Sequence, residues 1–398
     1  MTPSTQRALW ALLLGNFVIG TGVMVVPGTL NDLSASLGVS VPRAGMLITA
    51  GAVLMGVGAP VLASVVAGWD RRQLLTASLL WYALLLGACA LAPGFETLLP
   101  LRVVAMVAPA VFTPQAAASV GLMVPTEHRG RAITFVFLGW SVASVAGMPL
   151  SAWVGGTLGW RWAFGGVSAL ALLSAAWLWR VMPVGIQPAA LSRQAWRQAL
   201  SSGPLMLAVG VTLLSAFGQF TLFSYFAPVF KTTLGIQAST LALLFLWFGA
   251  FGLVGNLWMS RHVDRLGTGA AVQWTLGAMA LSLLLWPLAS GPASLAAILV
   301  PWALGCFAAN SAQQARLVAL SPALAPATVA LNTSAMYAGQ ALGSALGGGM
   351  IALGQMDHLH WVCLGVMLCA MALSHWAQSV ADRSTRKAHR ASSARRHP

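Results

Sequence analysis

The sequence predicts an all-α membrane protein with twelve transmembrane helices in two pseudo-symmetric six-helix bundles. Three observations lead there. Hydrophobic residues make up 58% of the 398-residue chain, charged residues only 7%, and mean hydropathy is +0.80. A soluble protein carries roughly 25% charged residues, and a disordered one lacks apolar content, so both classes are excluded. Apolar runs long enough to span a bilayer, about 20 residues each, recur twelve times. Features of the first half also return in the second at a nearly constant distance.

The apolar runs place helices near 8–30, 43–66, 74–92, 98–124, 132–157, 163–181, 204–230, 240–260, 270–290, 294–320, 326–353 and 360–380. The first run is read as helix one rather than a cleaved signal. Its apolar stretch is long, and Pro27-Gly28-Thr29-Leu30 is a poor small-residue cleavage site. The longest polar connection, 182–203, contains Pro183, Pro188, Arg193 and Arg197. It divides a first bundle (1–181) from a second (204–380), leaving a basic tail (381–398). Leu37-Gly38-Val39-Ser40 precedes helix two, and Leu234-Gly235-Ile236-Gln237 precedes helix eight, 197 positions later. Asp70 follows helix two and Asp264 follows helix eight, 194 positions apart. Duplicated six-helix halves about an axis normal to the membrane form a transporter architecture.

The net charge of +14 is a topology signal. Of 21 basic residues, 17 fall in even-numbered connections or at the termini, among them Arg7, Arg71, Arg72, Arg129, Arg131, Arg180, Arg316 and the tail set. By the positive-inside rule that side is cytoplasmic, so both termini are expected there, with the chain in the inner membrane. The tail can touch anionic headgroups of the lipid bilayer; no nucleic acid partner is expected, and the chain is expected to act as a monomer.

Gly255-Asn256-Leu257-Trp258-Met259-Ser260-Arg261-His262-Val263-Asp264-Arg265-Leu266-Gly267 carries the clearest motif. It resembles the cytoplasmic signature loop of the major facilitator superfamily, which ends in Asp-Arg-x-Gly. Small residues such as Gly255 let helices approach. An aspartate such as Asp264 can accept charge-assisted hydrogen bonds from an arginine or a helix N-terminus of the neighbouring bundle. The resemblance implies a gating role for Asp264 and Arg265; the alternative is a basic, topology-setting turn. The first-half copy is Asp70-Arg71-Arg72.

Arg102, near the outer end of helix four, matches the arginine of the superfamily's helix-four motif, implicated there in proton transfer. It either faces the bundle interior or snorkels to the interface. Helix five contains Gly139, then Gly147-Met148-Pro149, and resembles the Gly/Pro-rich motif of superfamily exporters. Gly147 permits close crossing and Pro149 weakens the helical ladder. Gly159-Trp160-Arg161-Trp162 matches a loop common in the superfamily.

Together with Ile19-Gly20-Thr21, Ala44-Gly45, and Ala330-Leu331-Asn332-Thr333-Ser334 through Gly347-Gly348, these segments are similar to the twelve-helix drug/proton antiporter branch, the arabinose-efflux-like permeases, over residues 8–380. That resemblance implies a proton-driven exporter of small molecules such as a drug, sugar or metabolite. One departure matters. Several branch members have Glu-Phe just after the Gly-Thr of helix one, where this chain has Val23 and Met24. All seven acids (Asp32, Asp70, Glu96, Glu127, Asp264, Asp357 and Asp382) lie in loops or at helix ends. A proton carrier needs a titratable group in the pathway. Asp32, paired with Arg102, is the remaining candidate; otherwise it is a solvated loop aspartate.

The resemblance also implies a substrate cavity between the halves, lined mainly by helices one, four, seven and ten. Polar and aromatic residues there are Asn16, Thr21, Thr113, Gln115, Gln219, Tyr225, Asn310, Gln313 and Gln314, with Asn332, Tyr337 and Gln340 on helix eleven. Buried amides suit a neutral or zwitterionic ligand, or else tie helices together. Gln115 and Gln313 are the leading pair because they correspond between halves, 198 positions apart.

The four cysteines (Cys89, Cys306, Cys363 and Cys369) lie in apolar runs and read as small core residues. Asp357-His358-Leu359-His360 reads as an external loop too poor in ligands for a metal. No cofactor is implied. The chain has no P-loop and only two lysines, which argues against an ATP-driven pump. An integral-membrane enzyme would need convergent nucleophile, base or metal ligands, and no such cluster is visible. A facilitator or uptake permease of the same fold is the other reading, because sequence does not fix direction.

Overall fold

A computed structural model describes residues 3–66, 68–187, 193–321 and 324–394. The first bundle holds α1 (Pro3–Leu37), α2 (Val41–Val65), α3 (Arg71–Ala90), α4 (Phe95–Ala105), α5 (Val107–Met123), α6 (Thr126–Val142), α7 (Met148–Thr157) and α8 (Trp160–Val181). A short amphipathic helix, α9 (Arg193–Ser201), leads into the second bundle. There lie α10 (Gly203–Phe223), α11 (Phe226–Leu234), α12 (Ala238–Leu266), α13 (Thr268–Leu285), α14 (Pro292–Leu320), α15 (Ala325–Ala352) and α16 (Leu359–Ala394). No strand occurs among the described residues.

Three expected continuous helices are interrupted. The fourth span breaks at Met106 between α4 and α5, and the seventh at Ser224-Tyr225 between α10 and α11. In the fifth, a π-helical turn, Ala143–Gly147, separates α6 from α7. A proline removes the hydrogen bond to the carbonyl four residues earlier and crowds it. Pro109, Pro149 and Pro228 stand four residues after Ala105, Val145 and Ser224, within or next to each break. Two helices run longer than the apolar pattern: α1 begins at Pro3, and α16 continues through the basic segment to Ala394.

Eleven spans among the described residues are long and apolar enough to cross a bilayer. The remaining one, α15, has 28 residues, sufficient by length, but is diluted by glycines and by Asn332, Thr333, Ser334, Gln340 and Ser344. It can be less apolar because it packs closely on both α10 and α2. The α2–α15 contact joins the two bundles, as does packing of α12 on α7 and the π-helical turn, and α1 adds a contact with α11.

The end of the molecule opposite both termini, here the distal end, is closed. Tyr225 lies against Gly45 of α2 and Gly348 of α15; a Cβ on Gly156 of α7 would meet the Ala238 Cβ of α12 at 2.8 Å. Near mid-helix, Gly249 of α12 rests on the π-helical turn, where an added Cβ would lie 2.6 Å from the Val145 Cα.

The duplication is sharper in three dimensions than in the loops. An added Cβ on Gly139 would collide with the Leu13 carbonyl and come within 2.8 Å of the Phe17 amide nitrogen. On Gly339 it would collide with Leu213 and come within 2.9 Å of the Phe217 nitrogen. Gly147 faces Thr21 as Gly347 faces Thr221. Each pair is offset by 200 positions, so the crossings of spans one and five recur in spans seven and eleven without insertion.

Candidate substrate cavity and gates

Four of the eight expected cavity amides, Asn16, Asn310, Gln313 and Asn332, bond between helices, although the Gln313 Oε1 is left without a partner. Buried Asn16 donates through Nδ2 to the Val136 carbonyl at 3.2 Å and accepts at Oδ1 from the Thr113 hydroxyl at 2.9 Å. Thr113 in turn accepts from the Trp140 Nε1 at 3.1 Å. One asparagine thus ties spans one, four and five. In the second bundle, Asn332 accepts from Thr212 at 2.5 Å and donates to Asn310 Oδ1 at 3.1 Å. Gln313 donates to the Ala208 carbonyl at 2.6 Å and to Thr212 at 3.1 Å, and Gln314 donates to Asn310 at 3.4 Å. Thr21 bonds back to the Phe17 carbonyl of its own helix.

Four expected residues are different. Gln115, Gln219, Tyr337 and Gln340 make no side-chain hydrogen bond among the described residues, and all but half-buried Gln219 are buried. On α15, Gly339 and Gly343 face α10, Ser334 and Ala338 face α2, and Leu342 is 51% exposed. Helical spacing therefore turns Tyr337 and Gln340 away from Leu342 and into the interior between the bundles. Gln115 shares the face of α5 that carries Phe112, which packs on Gly15 of α1, and buried Ser119. Gln115 and Gln313 are thus turned into their own bundles.

Tyr225 sits at the distal end between the bundles. Its hydroxyl donates to the Ser344 carbonyl at 2.8 Å, and its ring lies against Gly347. The adjoining Ser224 and Ser344 hydroxyls lie 2.7 Å apart.

The charged candidates are redistributed. Arg102 is only 2% exposed and does not pair with Asp32. Its Nη2 donates to the Val23 carbonyl at 3.2 Å, its guanidinium lies 5.8 Å from the Phe164 ring, and Nε and Nη1 have no partner. Asp32 instead accepts from the Trp160 backbone N–H and so caps α8, where a carboxylate suits the unsatisfied donors and positive dipole end. Asp70 caps α3, accepting from Arg72 at 2.9 Å, and takes the Gly185 N–H at 2.5 Å. That joins elements of one bundle rather than two. Arg71 is buried and donates to the Val66 and Trp69 carbonyls, each at 3.0 Å. Gly255 is where α12 crosses α14: a Cβ there would lie 2.6 Å from the Leu304 Cα, within the second bundle. Arg265 is exposed; the side chains of Asp264, Glu127, Arg129, Arg131 and Arg193 lie outside the described residues, as does the structure of 395–398. Gly147 closes the π-helical turn and Pro149 is buried just beyond it.

Some expectations of surface and core reverse. Arg316, read as a loop marker, is buried and donates to the Ser374 hydroxyl at 2.9 Å and carbonyl at 3.0 Å, tying α14 to α16. Cys369 is exposed, unlike the other three cysteines. His360 is buried in the first turn of α16, while His375 is exposed. Among the described residues no group of three or more His, Cys, Asp or Glu is placed to hold a metal ion. Thr212, Trp140 and Ser344 were not singled out from sequence, although the 200-residue offset of the glycines facing Thr21 and Thr221 points to these crossings.

The profile described as the Major Facilitator Superfamily matches residues 12–329. The chain belongs to this superfamily. It is 27% identical over 365 residues to the inner membrane transport protein YdhP of Escherichia coli K12, covering 92% of this chain and 94% of YdhP. It is 30% identical over 292 residues to a chloramphenicol efflux pump of Mycobacterium tuberculosis, covering 73% of this chain and 71% of the pump. In fold it is similar to a bacterial homologue of the human lysosomal transporter Spinster, solved inward-facing and unoccupied, with a TM-score of 0.74, 16% identity and coverage of 97% and 98% of the two chains. The superfamily and fold make this chain a multi-pass membrane transporter of small molecules.

Proposed function

We propose that the chain exports a neutral, hydrogen-bonding, partly aromatic small molecule by alternating access, as a monomer in the inner membrane. The observation that carries this reading is the division of the polar residues. Asn16, Asn310 and Asn332 bond between helices, and Gln313 does so through Nε2, whereas Tyr337 and Gln340 face the interior unspent. Burying an unpaired polar group costs about 1–3 kcal/mol, so such groups are available to a ligand. None of the seven acids is placed mid-membrane by the sequence to attract a cation. Export is favoured because relatives include a chloramphenicol efflux pump, and chloramphenicol is itself neutral, aromatic and amide-bearing. The basic bias supports a cytoplasmic position for both termini. The closed distal end then faces outward.

Proton coupling is the reading the superfamily resemblance favours. The absence of a mid-membrane carboxylate specifically favours the alternative, a facilitator for a neutral or zwitterionic metabolite. One experiment addresses both. Labelled chloramphenicol accumulation is followed in cells lacking their own exporters, with and without the chain. Export predicts lower accumulation that rises when an uncoupler is added. Unchanged accumulation across a panel of neutral aryl amides would overturn the export reading. Concentrative export that ignores the uncoupler would remove proton antiport.

A further inference from the structure

At the distal end of the second bundle, a cavity of about 190 Å³ lies between the end of the seventh span, the turn after α13 and the start of α16. Its walls include Val229 and Thr233 of α11, Trp286, Asp357 and His360. His360 is 8% exposed and its Nε2 has no partner. We propose that His360 is a proton-binding site that senses the outer medium and releases the distal closure when it is charged. The proposal rests on the transporter reading only for what the closure is used for.

A neutral imidazole tolerates a half-apolar cavity with one nitrogen unpaired. An imidazolium has two donors and a charge, and burying either without a partner is costly. Protonation therefore draws water or Asp357 towards the ring and expands the cavity. The wall that must move is α11. Trp286 lines the cavity and also stacks on α11, with ring centroids 6.0 Å from Phe226 and 5.9 Å from Phe230. In turn, α11 reaches across to α1 of the first bundle, and Tyr225 at its N-terminus rests on Gly45. The cavity thus touches the segment of the second bundle that closes the distal end.

The surroundings leave few other groups to titrate. Asp357 and His358 belong to the same turn, and both are exposed. On α11 the charged residue is Lys231, which is exposed, and Tyr225 at its start is held by Ser344. The sequences of α10 and of Trp286–Leu288 contain no charged residue, and α15 contributes none.

The test needs no substrate. Spin labels are placed at exposed Ala35 on α1 and exposed Thr232 on α11, in a Cys369→Ser background in lipid nanodiscs, and their separation is measured from pH 8 to pH 5. The wild type is expected to lengthen on acidification with one midpoint in the histidine range, about pH 5 to 8. His360→Gln and His360→Asn are expected to keep the alkaline separation at every pH. Asp357→Asn, which leaves the imidazole in place, is expected to lower the midpoint, because a nearby carboxylate favours the charged ring. A wild-type separation that does not respond to pH would overturn the proposal. So would a response that survives both His360 substitutions, or a midpoint unmoved by Asp357→Asn. Failure to find any exported solute would sink the export reading while leaving this measurement intact.

Discussion

Arg102 donates to the backbone carbonyl of Val23, the position at which several similar exporters carry a glutamate. The buried guanidinium meets a carbonyl there rather than a carboxylate, and two of its nitrogens remain without partners. A buried charge that loses its ion partner costs about 3–5 kcal/mol, and replacing buried ions with apolar groups of similar volume is often neutral or stabilising. Arg102→Met is therefore expected to leave the melting temperature of the purified protein unchanged or raised. A fall equivalent to several kcal/mol would show that the guanidinium is well compensated where it lies.

Asn332 and Gln340 are two turns apart on α15 but should behave oppositely. Asn332→Ala breaks bonds to Thr212 and Asn310, and interhelical bonds in membranes average about 0.6 kcal/mol each. Its expected cost is about 1 kcal/mol of stability. Gln340→Ala should leave stability in place and weaken ligand binding several-fold. Thermal melts and binding titrations on the same preparations check both, and a reversed pattern would disprove the division into ties and ligand contacts.

Gly45 has no room for a side chain because the Tyr225 hydroxyl occupies it. Gly45→Val is expected to wedge the distal end open, making a cysteine at buried Ala227 of α11 react faster with a water-soluble thiol reagent. Tyr225→Ala, which removes the contact between the bundles and the bond to Ser344, should speed the reaction as well. If Tyr225→Ala reacts as slowly as the protein that keeps the tyrosine, Tyr225 does not hold this end closed.

Arg316 and Arg265 separate buried from exposed charge at the same end of the second bundle. Arg316→Met strips the bonds that tie α14 to Ser374 and should reduce folded yield strongly. Arg265→Ala, at an exposed position, should alter yield little. Equal yields would refute the buried tie.

Orientation is checked by labelling intact cells with a membrane-impermeant maleimide. In the Cys369→Ser background, Ser290→Cys at the distal end should label, and Gln198→Cys on α9 should label only after permeabilisation. The opposite result would invert the proposed topology.

The twelve spans were legible because bilayer thickness writes itself into the length of each apolar run. The interruptions were legible in part: Pro149 was read as a weak point, whereas Pro109 and Pro228 sat inside unbroken apolar runs and gave no hydropathy signal. Arg316 was misread because a buried arginine at a helix end looks, in one dimension, like a loop charge. Asp32 and Asp70 were recognised as special residues, but their partners, the N–H groups of Trp160 and Gly185, are backbone atoms that any residue would supply. The amides could not be sorted in sequence, since an asparagine that binds Thr212 and a glutamine that faces the interior present the same amide group on one apolar helix. Only the phase of α15 against its two neighbours separated them.

That same helix has a consequence for how the protein is made. A segment enters the bilayer from the translocation machinery on the strength of its own apolarity, and α15 has traded much of that for glycines and hydroxyls that fit α10 and α2. Lipid alone is a poor host for it. Its partners are synthesised earlier, so the eleventh span is stabilised in the membrane by docking on helices already there, and insertion at this step is an act of folding.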